Sequence, residues 1–329
     1  MVKILNQYHR IKKYLKHVNG ITESFQFQKE NNLGKSIHHY NWWPDDSHSR
    51  WLSDFINNRG IMKNPSKTLA LCSVFDEIEI LEQVDTDFRV FFSGENLHNP
   101  RHAQYADYML SRKKPFDIAL GFDYFEHKKY LRFPLWLTYM FAPNATENEI
   151  RNRCNELRYP RIDKKLKFAS LIARYDWNGI RGEMAELLKT IEKVDCPSAL
   201  LHNDDTLHSQ FNDDKTAYLM QYKFNICPEN TNSYGYVTEK IFEAISSGCI
   251  PIYWGSYNKP ELDILNQDAI LFWDKDGEND DLIMFISEMY NNESRYVEFA
   301  SQPRLIDNAE DKILQYFSEL ENKLKSVIC

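Results

Sequence analysis

No CxxC pair occurs in this sequence, and no two of its six cysteines stand at a zinc-ligand spacing. That argues against a zinc ribbon and a disulfide scaffold, and reads as reduced, buried thiols in a cytoplasmic protein. Excess basic charge is also missing: the formal net charge is −8, so no global field favours nucleic acid, and no nucleic-acid-binding signature is present. Long apolar runs are absent. The best, Phe133–Ala142, is far shorter than a membrane span. Met1–Gly20 lacks the apolar stretch and small-residue cleavage site of a signal peptide. Internal repeats and low-complexity tracts are lacking too.

What is present is an aromatic-rich globular chain of 329 residues, long enough for two domains. Residues 1–20 place Ile4, Tyr8, Ile11, Leu15 and Val18 at helical spacing. Lys3, Arg10, Lys12, Lys13 and Lys16 occupy much of the rest. The segment is expected either to pack on the fold or to lie on anionic lipid. Residues 21–35 read as a polar connector.

From Ser36 the chain alternates. Thr68–Phe75, Arg89–Ser93 and Phe116–Phe122 read as strands, Tyr130–Phe141 as irregular because of Pro134, and 142–164 as a helical excursion and linker. A second alternating block follows. Strands are expected at Leu166–Ala173, Ser198–His202, Tyr222–Cys227, Cys249–Trp254 and Ala269–Trp273. Helices are expected at Arg181–Val194, Asp213–Met220, Thr238–Ser247, Asp280–Tyr290 and Ile313–Val327. Two such blocks predict an α/β protein of two facing Rossmann-like domains with parallel sheets. Ligands then bind beyond the carboxyl ends of the strands, in the cleft between the domains.

The segment 222–256, YKFNICPENTNSYGYVTEKIFEAISSGCIPIYWGS, carries the chemistry. A buried strand ends at Pro228, a polar loop follows, and Thr238, Glu239 and Lys240 start a helix. A helix N-terminus presents free N–H groups and partial positive charge, which suit a phosphate. Lys240 adds a full charge. Glu239 beside it suits sugar hydroxyls instead. Residue chemistry alone leaves open an ordinary helix start.

The same stretch resembles the donor-binding motif of the α-1,3-fucosyltransferases, glycosyltransferase family 10, most closely the bacterial members. The matching residues are P-E-N at 228–230, G-Y-V-T-E-K at 235–240 and G-C-I-P-I-Y-W-G at 248–255. Upstream, RVFFSGEN at 89–96, FDIALGFD at 116–123, YLRFP at 130–134 and Asn41-Trp42-Trp43 are similar to further segments of that family. Pro228 replaces the family's usual aromatic.

The resemblance implies the GT-B architecture. Residues 1–35 are then a helix and connector, 36–160 the acceptor-binding domain, 161–303 the GDP-sugar domain and 304–329 a C-terminal helix. It implies inverting transfer of L-fucose from GDP-β-L-fucose to a glycan hydroxyl, α-1,3 to GlcNAc of N-acetyllactosamine-type acceptors. Another deoxy- or amino-sugar donor is the alternative. Glu95 matches the catalytic base. Arg181, Asn230, Tyr236, Glu239 and Lys240 match donor-binding positions, with Arg174 as the fallback for Arg181. Trp42 and Trp43 are candidates for stacking on the acceptor, and either could instead be core.

No metal or other cofactor is expected. Asp85-Thr86-Asp87 has the letters of a metal-binding Asp-x-Asp but precedes its strand, and Glu239 has no partner for an E-x7-E pair. His38, His39, His98 and His102 read as surface or loop residues, and Asp45-Asp46, Asp204-Asp205 and Asp213-Asp214 as turns and caps. Lipopolysaccharide or another surface glycan is the expected destination, and the inner face of the membrane the expected setting.

Overall fold

The computed structural model describes residues 2–43, 48–105, 116–163 and 165–329, without the side chains of 2–11. Asp45 and Asp46 lie outside the described residues. Contacts divide the chain into two units. One comprises Met1–Gly121, Phe125–Arg132 and Glu319–Cys329, the other Phe122–Tyr124 and Phe133–Ser318.

In the first unit β1 (Ile37–Tyr40), β2 (Leu69–Cys72), β3 (Phe88–Phe92), β4 (Ile118–Gly121) and β5 (Tyr130–Arg132) form one parallel sheet in that order. Every residue of β2 and β4 is buried, which is why these strands read as unbroken apolar runs rather than alternating ones. Helices α1 (Val2–Asn31), α2 (Trp51–Asn58) and α3 (Ile78–Gln83) accompany the sheet. Ile21, Ile80, Leu81, Phe91, Tyr105 and Phe116 share one core.

The second unit opens with α4 (Trp136–Met140) and α5 (Glu147–Arg158). Its strands are β6 (Lys167–Ser170), β7 (Val194–Asp195), β8 (Tyr222–Ile226), β9 (Ile250–Tyr253) and β10 (Leu271–Phe272), all parallel, in the order β10-β9-β8-β6-β7. Between them run α6 (Ile180–Leu188), α7 (Thr206–Ser209), α8 (Lys215–Leu219) and α9 (Glu239–Ser246). Helices α10 (Asp280–Asn291) and α11 (Glu293–Ala300) follow, and α12 (Ala309–Ile328) belongs to this unit only as far as Ser318, its remainder to the first. After β6 the chain moves outward to β7, and after β8 it moves the opposite way to β9 and β10. The strand order therefore reverses between β6 and β8, while all strands stay parallel, and a crevice opens at the carboxyl ends of such a pair.

Several expectations need correction. Residues 21–35 are no connector: α1 runs on to Asn31, with Ile21 and Phe25 on the core. Gln28 there bonds Asn41 and Asp76 through its side chain. Tyr130–Phe141 holds a strand and a helix on either side of Pro134. Residues 133–160 belong to the second unit rather than to a 36–160 domain, because Trp136 stacks on Phe242 at 4.1 Å. Ser198–His202 is not a strand. Pro197 follows the short β7, and Leu201 takes φ +52° in a turn. His38 and His39 lie on β1, where His39 Nε2 meets Ser53 Oγ at 2.9 Å.

Other features follow their local chemistry. Helix α5 opens on a reciprocal cap between Thr146 and Glu149. Asp214 accepts from Ala217 N, and Asp87 ties Lys67 and Thr68 together before β3. Residues 12–20 of α1 are all exposed. Removing residues 1–20 is thus expected to leave the thermal unfolding midpoint nearly unchanged, since surface groups contribute within about 0.5 kcal/mol. A large drop in calorimetry would mean that the segment packs on the fold.

Candidate functional site

The loop after β8 is built around a buried carboxylate. Glu229 is 0% exposed. One of its oxygens accepts from Thr238 N at 2.7 Å and the other from Thr238 Oγ1 at 2.6 Å. Its own N–H donates to Trp254 O at 2.8 Å. Burial pushes its pKa up and Lys240 pulls it back, with a net rise. Gly255 has φ +152°, and a Cβ there would lie 2.6 Å from Glu229 Cγ. Only glycine leaves room for that carboxylate.

Helix α9 begins on this anchor. Lys240 Nζ donates to Thr238 Oγ1 at 2.8 Å and Glu239 Oε1 at 3.1 Å, with Glu229 Oε2 at 3.5 Å. Burial works against the Lys240 charge, but Glu239 and Glu229 outweigh it and raise its pKa. Burial likewise lifts Glu239, but Lys240 and Lys215 outweigh it and hold its pKa below the usual glutamate value. The site is thus a charged cluster, fixed at a helix N-terminus. At its other end, Gly248 (φ +75°) stops the helix, where a Cβ would sit 1.9 Å from Arg161 O.

The loop after β6 supplies the second cation. Asp176 accepts from Arg181 N at 3.2 Å and Gly182 N at 2.8 Å, which fixes the start of α6. The Arg181 guanidinium, 7% exposed, donates to Asn230 Oδ1 at 2.7 Å and to Tyr175 O at 2.5 Å. Burial lowers its pKa, partly offset by Glu229 and Asp176. Arg174, the fallback, is exposed. Arg181, Pro228, Lys240 and Glu243 help line a cavity of about 20 Å³, room for one water molecule. The reversal between β6 and β8 therefore brings Arg181, Asn230, Glu239 and Lys240 into one region. Tyr236 is 2% exposed, and its ring stands edge-on to Phe122 at 5.1 Å.

In the first unit Glu95 sits on the loop after β3, partly buried, its N–H donating to Ser93 Oγ at 3.0 Å. The turn beyond it is closed by Asn96 Oδ1, which accepts from His98 N at 2.9 Å. Trp42 and Trp43 follow β1 with ring centroids 4.9 Å apart, and Trp42 Nε1 donates to Ser49 O at 2.6 Å. With Gln28, Asn41, Phe75 and Asp76 they line a cavity of about 700 Å³, the size of a small-ligand site. Among the described residues no group of three or more His, Cys, Asp or Glu could hold a metal ion.

Sequence reasoning missed two members. Glu229 had a signal in the P-E-N letters: a carboxylate directly after a fully buried strand must find partners. Glu243 lies one turn beyond Glu239 on α9, beside Lys215 at 3.4 Å, and its i+4 spacing from Glu239 was the available sign.

Two Rossmann-like α/β units, one with cationic side chains at a helix N-terminus beside the sheet reversal, are those of a GT-B glycosyltransferase. Residues 162–316 match the glycosyltransferase family 10 (fucosyltransferase) C-terminal domain, and residues 37–139 match the α-(1,3)-fucosyltransferase FucT N-terminal domain. The chain belongs to glycosyltransferase family 10. The α-(1,3)-fucosyltransferase FucT of Helicobacter pylori is 32% identical over 194 residues, 51% of this chain and 37% of that protein. GDP-fucose protein O-fucosyltransferase 3 of Xenopus laevis is 32% identical over 120 residues, 35% of this chain and 25% of that one. The matches thus span between a quarter and little more than a third of these relatives' length. A crystal structure of α1,3-fucosyltransferase matches with TM-score 0.56 at 25% identity, covering 87% of this chain and 89% of that chain. One of α1,3-fucosyltransferase with GDP-fucose matches over the same shares with TM-score 0.54 at 25% identity.

Proposed function

We propose that this chain transfers L-fucose from GDP-β-L-fucose, with inversion, to a hydroxyl of a glycan acceptor, α-1,3 to GlcNAc of an N-acetyllactosamine-type glycan. The supporting observation is the pairing of Arg181 with Asn230 beside Lys240 at the start of α9. In the reaction the acceptor oxygen bonds to C1 of fucose and its proton passes to Glu95. The bond from C1 to the phosphate oxygen breaks, and GDP leaves with the electron pair. Lys240, Arg181 and the α9 N–H groups take up the charge that develops on the diphosphate. Glu239, kept ionised by its lysines, accepts hydrogen bonds from the fucose hydroxyls. Asn230 and Tyr236 complete the donor contacts, and Trp42 and Trp43 offer faces to the acceptor. The acceptor is an oligosaccharide or glycolipid, in lipopolysaccharide or another surface glycan. The enzyme works at the inner face of the membrane, which it touches through residues 1–20.

Calorimetric titration with GDP-fucose, beside a panel of other deoxy- and amino-sugar nucleotides, tests the donor. Tighter binding and faster turnover of another nucleotide sugar would replace fucose in this reading. Nuclear magnetic resonance of the product tests the α-1,3 linkage. The side chains supply the countercharge, so EDTA is expected to leave GDP affinity nearly unchanged. Binding that vanishes and returns with Mn²⁺ would overturn the metal-free reading.

A further inference from the structure

The apolar stripe of α1 does not end where the core ends. On that helix Ile21 and Phe25 pack into the first unit, and Asn32 bonds His39 through both of its side-chain ends. One and two turns earlier the stripe continues into solvent. Ile21 is 9% exposed, Val18 37%, Leu15 54% and Tyr14 66%. The spacing carries on through Ile11, Tyr8 and Ile4 in the sequence. An apolar stripe on a water-exposed helix is costly unless something covers it.

Charge identifies the cover. Residues 1–22 contain Lys3, Arg10, Lys12, Lys13 and Lys16 and no Asp or Glu, in a chain whose net charge is −8. Lys12, Lys13 and Lys16 are exposed, off the apolar stripe. A helix that is apolar along one face and whose only charged side chains are basic matches an anionic bilayer surface, with the stripe in the headgroup boundary and the lysine stems reaching back to the phosphates. We propose that the first five turns of α1 bind anionic lipid and hold this protein at a membrane, where a lipid-linked acceptor would lie. Lipid binding deepens the peripheral setting given above, but it does not rest on the identity of the donor or acceptor.

Sedimentation of the full chain with vesicles tests this. Vesicles of phosphatidylcholine alone are compared with vesicles containing about one-third phosphatidylglycerol, the anionic component that attracts juxtamembrane lysines. Binding is expected only to the anionic vesicles and should weaken as salt is raised. Replacing Lys12, Lys13 and Lys16 by Gln should reduce partitioning about a hundred-fold, at about five-fold per lysine. Leu15→Asp with Val18→Asp should reduce it further. These residues are exposed, so both variants should keep the wild-type melting midpoint and the wild-type rate on a soluble acceptor. That rate separates failure of the lipid reading from failure of the transferase reading. Equal binding to both vesicle types, no binding to either, or concentration-dependent dimerisation lost in Leu15→Asp would overturn the proposal.

Discussion

Replacing Glu95 by glutamine is expected to slow transfer by about 10²–10⁴-fold while GDP-fucose still binds, the loss typical of a general base. Glutamine keeps the shape and length of the side chain and removes only its basicity. The acceptor hydroxyl would then attack C1 without a partner for its proton. The loop itself should survive the change. Its turn is held by Ser93 Oγ on Glu95 N–H and by Asn96 Oδ1 on His98 N–H. The acidic limb of the pH–rate profile should vanish together with the rate. Single-turnover kinetics and a GDP-fucose titration on the same preparation make the comparison. A variant that retains most of its activity would move the base elsewhere, with Asp123 and Glu126 the next carboxylates to replace.

How much of this was legible depends on whether the cause of each feature is local. Helix α9 could be read because its signals lie within a few residues: Thr-Glu-Lys at its start, Ile241, Phe242 and Ile245 inward, Gly248 at its stop. Strands β2, β4 and β8 could be read because both faces are buried and the apolar run is continuous. The last turns of α1, residues 26–31, could not. Gln26, Gln28, Lys29, Glu30 and Asn31 carry no apolar stripe, and part of what holds these turns is the bond from Gln28 to Asp76, distant in sequence. The extent of the first domain was hidden for the same reason. Trp136 belongs with Phe242, more than a hundred residues away. Ser198–His202 misled in the other direction, since Ala199, Leu200 and Leu201 look like a strand while the chain there turns.

The candidate site divides the same way. Lys240 and Glu239 lie on one short stretch and their chemistry was read from it, while Asn230 on the same stretch was marked by the family resemblance. Arg181 comes from another stretch and joins them only because β6 pairs with β8. The sequence signalled only that Glu229 needs partners; which ones was not readable, since they depend on a backbone N–H nine residues on and on the space that Gly255 leaves.

That buried carboxylate gives the second large effect. Lys240 donates to Thr238 Oγ1, Thr238 Oγ1 donates to Glu229, and Thr238 N donates to the other Glu229 oxygen. The lysine is therefore held by a relay whose final acceptor must be an oxygen. Glu229→Ala removes that end, opens a cavity and leaves Thr238 N without its side-chain partner. Breaking a buried charged pair of this kind costs about 3–5 kcal/mol, so the variant should melt far below the wild type. Glu229→Gln is the sharper test. Its amide oxygen can still accept from Thr238 N, but the amide N–H₂ must then face Thr238 Oγ1 and reverse the relay. Lys240 would keep its bond to Glu239 Oε1 but lose the support of the relay, and GDP affinity should fall by up to about ten-fold, in line with one charge-assisted phosphate contact. The pH dependence has a definite sign. The folded pKa of Glu229 lies above its ordinary value of 4.5, so folding takes up a proton there. Its contribution to stability is full below that value and falls as pH rises through the folded pKa. The glutamine variant lacks this group. Its stability deficit relative to the wild type should therefore be largest in acid and shrink toward neutral pH, as followed by urea unfolding. A deficit that grows with pH would mean that Glu229 is held ionised by Lys240 more strongly than burial opposes it. The relay would then be an ion pair first and a hydrogen-bond chain second.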